Sequence, residues 1–257
     1  MELIFIALVS CLASILTFYS GFGLGTILLP VFGLFFSIEL AIAMTAIVHF
    51  LNNAFKFLLT RKHMDTALVW KFGMVSLLFA LPGAWLLREF SGLEMHLNYT
   101  VWGWTADWTP LKALIGFLLM VFVWLEFTDR LKQLDASRPY LYWIAAGSGF
   151  FGGLSGHQGA LRSAFLGKLG LRKESFIATG IAIACMVDLG RLAVYQDHLR
   201  DANSKLDWMP VAVATAAAFS GAWLGSRYLH KIRHDQLHRL VYISLFAFGL
   251  ALLAGWI

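Results

Sequence analysis

Gly152-Gly153-Leu154-Ser155-Gly156-His157-Gln158-Gly159 interrupts an apolar stretch, and Ser20-Gly21-Phe22-Gly23-Leu24-Gly25 interrupts another 135 positions earlier. Glycine at this density cannot carry a straight helix, because each one costs about 1 kcal/mol against alanine. The two breaks belong to a longer self-similarity. Ser20-Gly21 aligns with Ser155-Gly156, Leu34 with Leu169, Glu39 with Glu174, Ile42-Ala43 with Ile177-Ala178 and His63 with His198. Asn53 falls on Asp188 and Lys56 on Arg191, so polar character is kept where identity is not. After a small change in spacing, Trp70 meets Trp208 and Gly83-Ala84-Trp85-Leu86 meets Gly221-Ala222-Trp223-Leu224. A duplicated apolar unit, broken at matching places by glycine and charge, is how many secondary transporters are built.

Composition fixes the class. The 257 residues are 59% hydrophobic and 14% charged, against roughly 45–50% apolar and about 25% charged in soluble domains. Runs long enough to span about 30 Å of hydrocarbon recur, so the expected fold is an all-α polytopic membrane protein. The net charge of +5 comes from short basic clusters between apolar runs, which orient helices rather than bind nucleic acid. Cys11 and Cys185 lie in apolar stretches without metal-ligand spacing and read as small core residues. Leu8-Val9-Ser10-Cys11 faintly resembles a lipoprotein cleavage box, but the basic start of a signal is missing, and the first span is expected to be retained.

Spans are expected at about 2–19, 38–60, 66–87, 111–127, 174–195, 208–228 and 237–257. The broken segments, 21–36 and 140–167, are less regular. Suppose each reverses the chain, giving four helices plus one broken or re-entrant segment in each half. Arg61-Lys62, Arg130-Lys132-Arg138, Lys168-Arg172-Lys173 and Arg227-Lys231-Arg233-Arg239 then share one side, and only Arg88, Arg200 and Lys205 fall on the other. That asymmetry satisfies the positive-inside rule, whereas a plain eight-helix count splits the charges almost evenly. With an odd number of passes each, the halves are inverted repeats: 1–128, a cytoplasmic linker at 129–138, and 139–257. Both termini face outward, as does the loop 93–110, whose Trp102, Trp104 and Trp108 suit the headgroup level. The second half is about eleven residues shorter at this connection.

A helix that begins inside a membrane leaves N–H groups unpartnered and points a positive dipole end at the midplane, which favours an anion. Candidate substrate-binding residues are therefore Ser20, Gly21, Gly23, Gly25 and Thr26 at the first break. At the second they are Ser155, Gly156, His157, Gln158, Gly159 and Arg162. Glycines used only for close helix packing are the alternative, but two matched breaks, one carrying Ser-Gly-His-Gln-Gly, favour a site. Arg162 sits one turn beyond the break with no acid near it in sequence, so an anionic substrate could answer its charge. Asp188 and Arg191 are spaced to pair on one face, and with Lys56 they form a candidate proton or charge relay. Holding two helices together is the plainer role for that pair, and Lys56 lies close enough to a helix end to snorkel. His49 reads as a packing histidine, His63 and His198 as loop anchors, and Glu39 and Glu174 as first-turn acids. The sequence contains no HExxH, GxSxG, CxxC pair or phosphate loop, and the glycines at 21–25 lack the strand–helix context of a dinucleotide site. Neither an enzyme, a metal nor a cofactor is expected.

Taken together, the break leading from Ser20 to Pro30, the polar break Gly153-Leu154-Ser155-Gly156, the long helix after each, Asp207-Trp208 and the paired Gly-Ala-Trp-Leu helices resemble the sulfite exporter TauE/SafE family, also called the toluene-sulfonate uptake permease family. The resemblance covers nearly the whole chain, and it rests on order and duplication more than on any single motif. It implies transport of small sulfur-containing anions, such as sulfite or organosulfonates, across a bacterial inner membrane; joined to the duplicated breaks, the expectation is a secondary transporter, an exporter, working by alternating access at a midplane site between them. An anion channel, or a transporter of another small organic anion, is the alternative. His157-Gln158 and Arg162 stand where members of the family more often carry glycine and small apolar residues, and no proline follows at Phe165. The expected partners are a small anionic substrate and the lipid bilayer, not nucleic acid, and a homo-oligomer is left open.

Overall fold

The computed structural model describes residues 1–20, 23–101, 103–128, 130, 140–202, 207–228 and 235–257, with side chains described in all of these except 19–20, 101, 104, 196–202, 228 and 235–240. The first half runs α1 (Glu2–Ser20), α2 (Leu24–Gly33), α3 (Ile38–Thr60), α4 (Thr66–Ser91) and α5 (Pro110–Phe127). The second runs α6 (Leu141–Ser155), α7 (Gln158–Leu166), α8 (Lys173–Ala202), α9 (Trp208–Tyr228) and α10 (Asp235–Leu253). Each half thus presents a helix, a short helix after a break, and three further helices, in the same order. The linker expected at 129–138 lies outside the described residues apart from Arg130.

Among the described residues, α3, α4, α5, α8 and α9 are long and apolar enough to cross a membrane, and α1, α2 and α10 add shorter apolar stretches. Large apolar side chains such as Leu78, Phe117, Trp143 and Ile243 stand exposed around the outside, as a surface that meets lipid requires. The fold is that of an all-α polytopic membrane protein, with one small exception. The loop expected at 93–110 contains an antiparallel hairpin, β1 (Leu97–Val101) and β2 (Trp104–Trp108). Its Asp107 N–H donates to the Gly255 carbonyl at 2.8 Å, and Tyr99 Oη donates to Ala254, which anchors the hairpin over the end of α10.

Local chemistry sets the helix boundaries. Thr109 caps α5 by accepting from Lys112 N–H at 3.2 Å, and Pro110 follows where its missing N–H costs nothing. Asp65 caps α4 through the Leu68 N–H at 3.0 Å and gives its own N–H to Thr179 Oγ1 of α8 at 2.9 Å. That second bond holds the turn carrying Arg61 and Lys62 against α8. α6 ends at Gly156, whose φ of +82° is left-handed and whose N–H bonds the Gly152 carbonyl at 2.9 Å. From there α7 doubles back, because Leu161 lies against Gly147 and Gln158 against Gly152. In the first half, Phe35 beyond α2 meets Phe5 of α1 at 6.0 Å between ring centres. Both breaks therefore reverse the chain.

The halves interlock by exchange: α4 packs on α6, α1 on α9, α3 on α8, and α5 on α10. The closest approaches are made by glycine. A Cβ on Gly149 or Gly153 of α6 would run into the carbonyls of Ser76 or Ala80 in α4, and one on Gly83 would meet that of Phe150. In the partner pair, Gly221 of α9 lies against the Cys11 carbonyl of α1. Small residues bring backbones together here because lipid supplies no hydrophobic drive between helices.

Two outcomes follow. Gly149→Ala should destabilise the detergent-solubilised protein by roughly 1–3 kcal/mol, while Gly147→Ala, whose Cβ would find only ordinary contact, should stay within about 0.5 kcal/mol; equal thermal unfolding of the two variants would contradict the packing. At the hairpin, His96 first and Lys112 second hold the Asp107 carboxyl below the usual range. A depressed carboxyl contributes stability above its ordinary value of about 3.9, which is lost as pH falls through the lower folded value. Tryptophan emission from the hairpin should be flat from neutral pH to about 4 and change only below it, and Asp107→Asn should show the changed signal throughout.

Candidate functional site

The two breaks meet. A Cβ on Gly23 would lie 4.0 Å from the Gly156 carbonyl and 3.9 Å from His49 Nε2. Behind that junction sits Asp188 of α8, with 0% of its surface exposed. Its Oδ2 meets His49 Nδ1 at 2.8 Å and accepts from Asn53 Nδ2 at 3.1 Å, and its Oδ1 accepts from Gln158 Nε2 at 3.0 Å. A carboxylate only accepts, so Nδ1 of His49 carries the hydrogen on that side. Gln158 Oε1 in turn accepts from Arg162 Nη1 at 2.9 Å. One chain of bonds therefore joins α3, α8 and both ends of the first turn of α7.

Asp188 and Arg191 are not hydrogen-bonded to each other, which corrects the expected pairing. Asp188 is committed to α3 and α7. Arg191 instead reaches the Gly152 carbonyl at 3.5 Å, lies over the Tyr195 ring at 5.8 Å, and abuts Gly156, where a Cβ would stand 2.6 Å from Nη1. Only glycine suits position 156, for this approach and for its backbone angle. Lys56 does not snorkel. It is 3% exposed, with Nζ 3.4 Å from Thr17 Oγ1 and 5.5 Å from the centre of the Phe18 ring. With the neighbouring Asn52 amide turned so that both its ends are satisfied, the Asn52 oxygen accepts from Lys56 at 3.2 Å.

Lys56 and Arg162 face one void, bounded also by Thr17, Phe18, Gly23, His49 and Asn53 with apolar side chains of α8. Among the described residues no carboxylate lines it. Arg162 is buried, and its Nε has no hydrogen-bond partner. Neither α2 nor α7 has a side-chain cap; the Thr26 N–H is taken by the Gly23 carbonyl at 3.1 Å, and no side chain caps the other first-turn N–H groups beside these cations. Asp188 answers Arg162 only from behind Gln158, and two buried positive groups facing one void are costly in an apolar bundle, a cost that an anion there would offset.

The remaining expected residues divide. Gly25 packs on Thr45 and His49. Ser155 Oγ is occupied by the Phe151 carbonyl at 3.1 Å and His157 Nδ1 at 2.8 Å. Thr26, His157 and Gly159 line a separate, smaller cavity, for which Gly23 is the shared wall. Hence the structure places Arg162 and His157 at different cavities. Ser20 ends α1 without a described side chain, and Gly21 lies outside the described residues.

A family model for the sulfite exporter TauE/SafE matches residues 6–252. The chain belongs to the TauE/SafE family. Membership implies an exporter-type membrane transporter of sulfite or related sulfur anions. Comparison with curated proteins and with solved structures gives no match.

His49 is the residue that sequence reasoning underrated. The signal that could have found it is spacing: His49, Asn52, Asn53 and Lys56 form one polar stripe along α3, and so many polar groups on one face of a span point inward to a site. Asp188→Leu should cost this TauE/SafE protein about 3–5 kcal/mol, because three donors lose their shared acceptor. Asp188→Asn, which keeps one acceptor oxygen, should cost less. Thermal unfolding in detergent checks the order; equal stability of Asp188→Leu and wild type would show that the network holds nothing together.

Proposed function

We propose that this protein is a secondary transporter that exports small sulfur-containing anions, such as sulfite or an organosulfonate, by alternating access. The observation that carries this reading is the pair of buried cations, Lys56 and Arg162, facing one void beside two uncapped helix starts. Sulfonate or sulfite oxygens would accept from backbone N–H groups of α2 and α7 and from the Arg162 guanidinium, with Lys56 supplying a second charge. Gly23 and Gly156 allow the close backbone approach that this needs. Gln158 and Asp188 act one layer further out, holding Arg162 and α3 in place rather than touching the anion.

In this reading 1–128 and 139–257 are inverted repeats joined by a cytoplasmic linker at 129–138, in a bacterial inner membrane. Two features support inversion: each half has five elements, and each break turns the chain back. One half rocking against the other would then expose the void to each side in turn.

Purified protein in proteoliposomes should carry at least one of sulfite, sulfoacetate, isethionate, taurine, sulfate or formate in an electrically recorded flux. Arg162→Ala should reduce that flux about tenfold or more, consistent with loss of a charge-assisted bond of about 1.5–3 kcal/mol. A wild-type signal that Arg162→Ala leaves untouched would remove the void from the transport path. Large single-channel currents would replace the carrier with a channel.

A further inference from the structure

The smaller cavity lies between α2, α5 and α7 and does not include Arg162 or Lys56. Its walls are Gly23, Thr26, Phe122, Glu126, His157 and the start of α7. His157 is 4% exposed; Ser155 engages its Nδ1, and its Nε2 is buried with no hydrogen-bond partner. The imidazole lies flat on the Phe122 ring, 5.3 Å between centres and 8° between planes. Glu126 follows Phe122 by one helical turn and so presents its carboxyl on the same face of α5. No hydrogen bond or ion pair engages that carboxyl among the described residues. A carboxyl without a described partner and an imidazole whose Nε2 is free line one pocket.

The geometry points to a proton-binding site, distinct from the anion void, in which Glu126 and His157 share one proton. The proton passes from the Glu126 carboxylic acid to His157 Nε2, directly or through a water, leaving a carboxylate and an imidazolium; no other bond is made or broken. The Phe122 face stabilises the imidazolium. Most other charges are directed elsewhere. α2 has no titratable residue. On α5, Lys112 is at the far end, paired with Asp107 at 3.1 Å. Arg162 of α7 turns to Gln158, and on α8 Asp188 is held by His49; Arg191, which abuts Gly156 beside His157, is the one of these charges that acts on the imidazole, and it favours leaving the proton on Glu126. Tyr242 of α10 meets Phe127, Arg88 and Glu89 of α4 lie at the opposite end of that helix from its Asp65 cap, and the side chains of 235–240 are outside the described set.

The route to the anion void is short. His157 is followed by Gln158, whose amide holds both Asp188 and Arg162, and Gly23 walls both cavities. Protonation that moves the start of α7 therefore moves Arg162. The coupling role rests on the transporter reading above, whereas the proton site does not.

Infrared difference spectra of the purified full chain across a pH titration test the site. Wild type should show a carboxylic-acid C=O band that titrates and is absent in Glu126→Gln. In His157→Gln the midpoint of that band should move by about one pH unit or more, as coupled titration requires. A band that survives Glu126→Gln, or a midpoint unmoved in His157→Gln, overturns the proposal; should Glu126→Gln fail to fold, the His157→Gln midpoint alone decides. With sulfite as the probe in proteoliposomes, Glu126→Gln should cut accumulation driven by a pH gradient about tenfold, while leaving sulfite exchange at equal pH within about twofold. Equal loss of both overturns the coupling role. If wild type carries no sulfite or other sulfur anion, the transporter reading fails instead, and the infrared titration still decides the proton site.

Discussion

A carboxylate with no exposed surface inside an apolar bundle must be met by donors, and Asp188 is met from two other helices. His49 and Asn53 come from α3 and Gln158 from α7, while Asp188 itself belongs to α8. Burying that charge unanswered would cost several kcal/mol, so the three helices are obliged to keep this arrangement. Because Gln158 lies in the first turn of α7, the same carboxylate fixes where the reversed segment begins. It thereby sets Arg162, one turn on, against the void. Asp188 thus serves as the anchor of the site.

The second break is where the copies diverge. His157, Gln158 and Arg162 align with Phe22, Gly23 and Ile27, so the polar burden lies in one half and the first half contributes mainly space. Gly23 shows what that space is for. It stands against Gly156 and His49 and borders both cavities. A side chain there would begin to close the junction. In the first half the polar weight is carried one element later, by His49, Asn52, Asn53 and Lys56 on α3. The site is therefore unequal, assembled from α3 of one half and from α7 and α8 of the other.

Several features were legible in the residues because they depend on local chemistry. Hydrophobic length gave the spans, glycine density gave both breaks, and the placement of Arg61-Lys62 and Lys168-Arg172-Lys173 argued for reversal, which the contacts of Phe35 with Phe5 and Leu161 with Gly147 bear out. The Asp188–Arg191 spacing was legible too, but it misled. Residues three apart on a helix share a face, yet a partner from another helix with better geometry wins, and here His49 is that partner. Lys56 failed in a similar way. Its distance from a helix end suggested an exposed ammonium, but α1 covers it with Thr17 and Phe18.

Sequence by itself determined that the chain is a helical membrane protein and that its helices break near 20–25 and 152–159, and its self-similarity at 135 positions argued for duplication. Each of these is a property of consecutive residues: hydropathy over a span, or the backbone cost of glycine. Only the tertiary structure decided that His49 reaches Asp188, that Glu126 and His157 line one pocket, and that the polar residues divide between two cavities. Those facts depend on which helices of opposite halves are neighbours, and on how far each turns about its own axis. Neither is encoded in the spacing of a single segment, because both follow from glycines on one helix admitting the backbone of another.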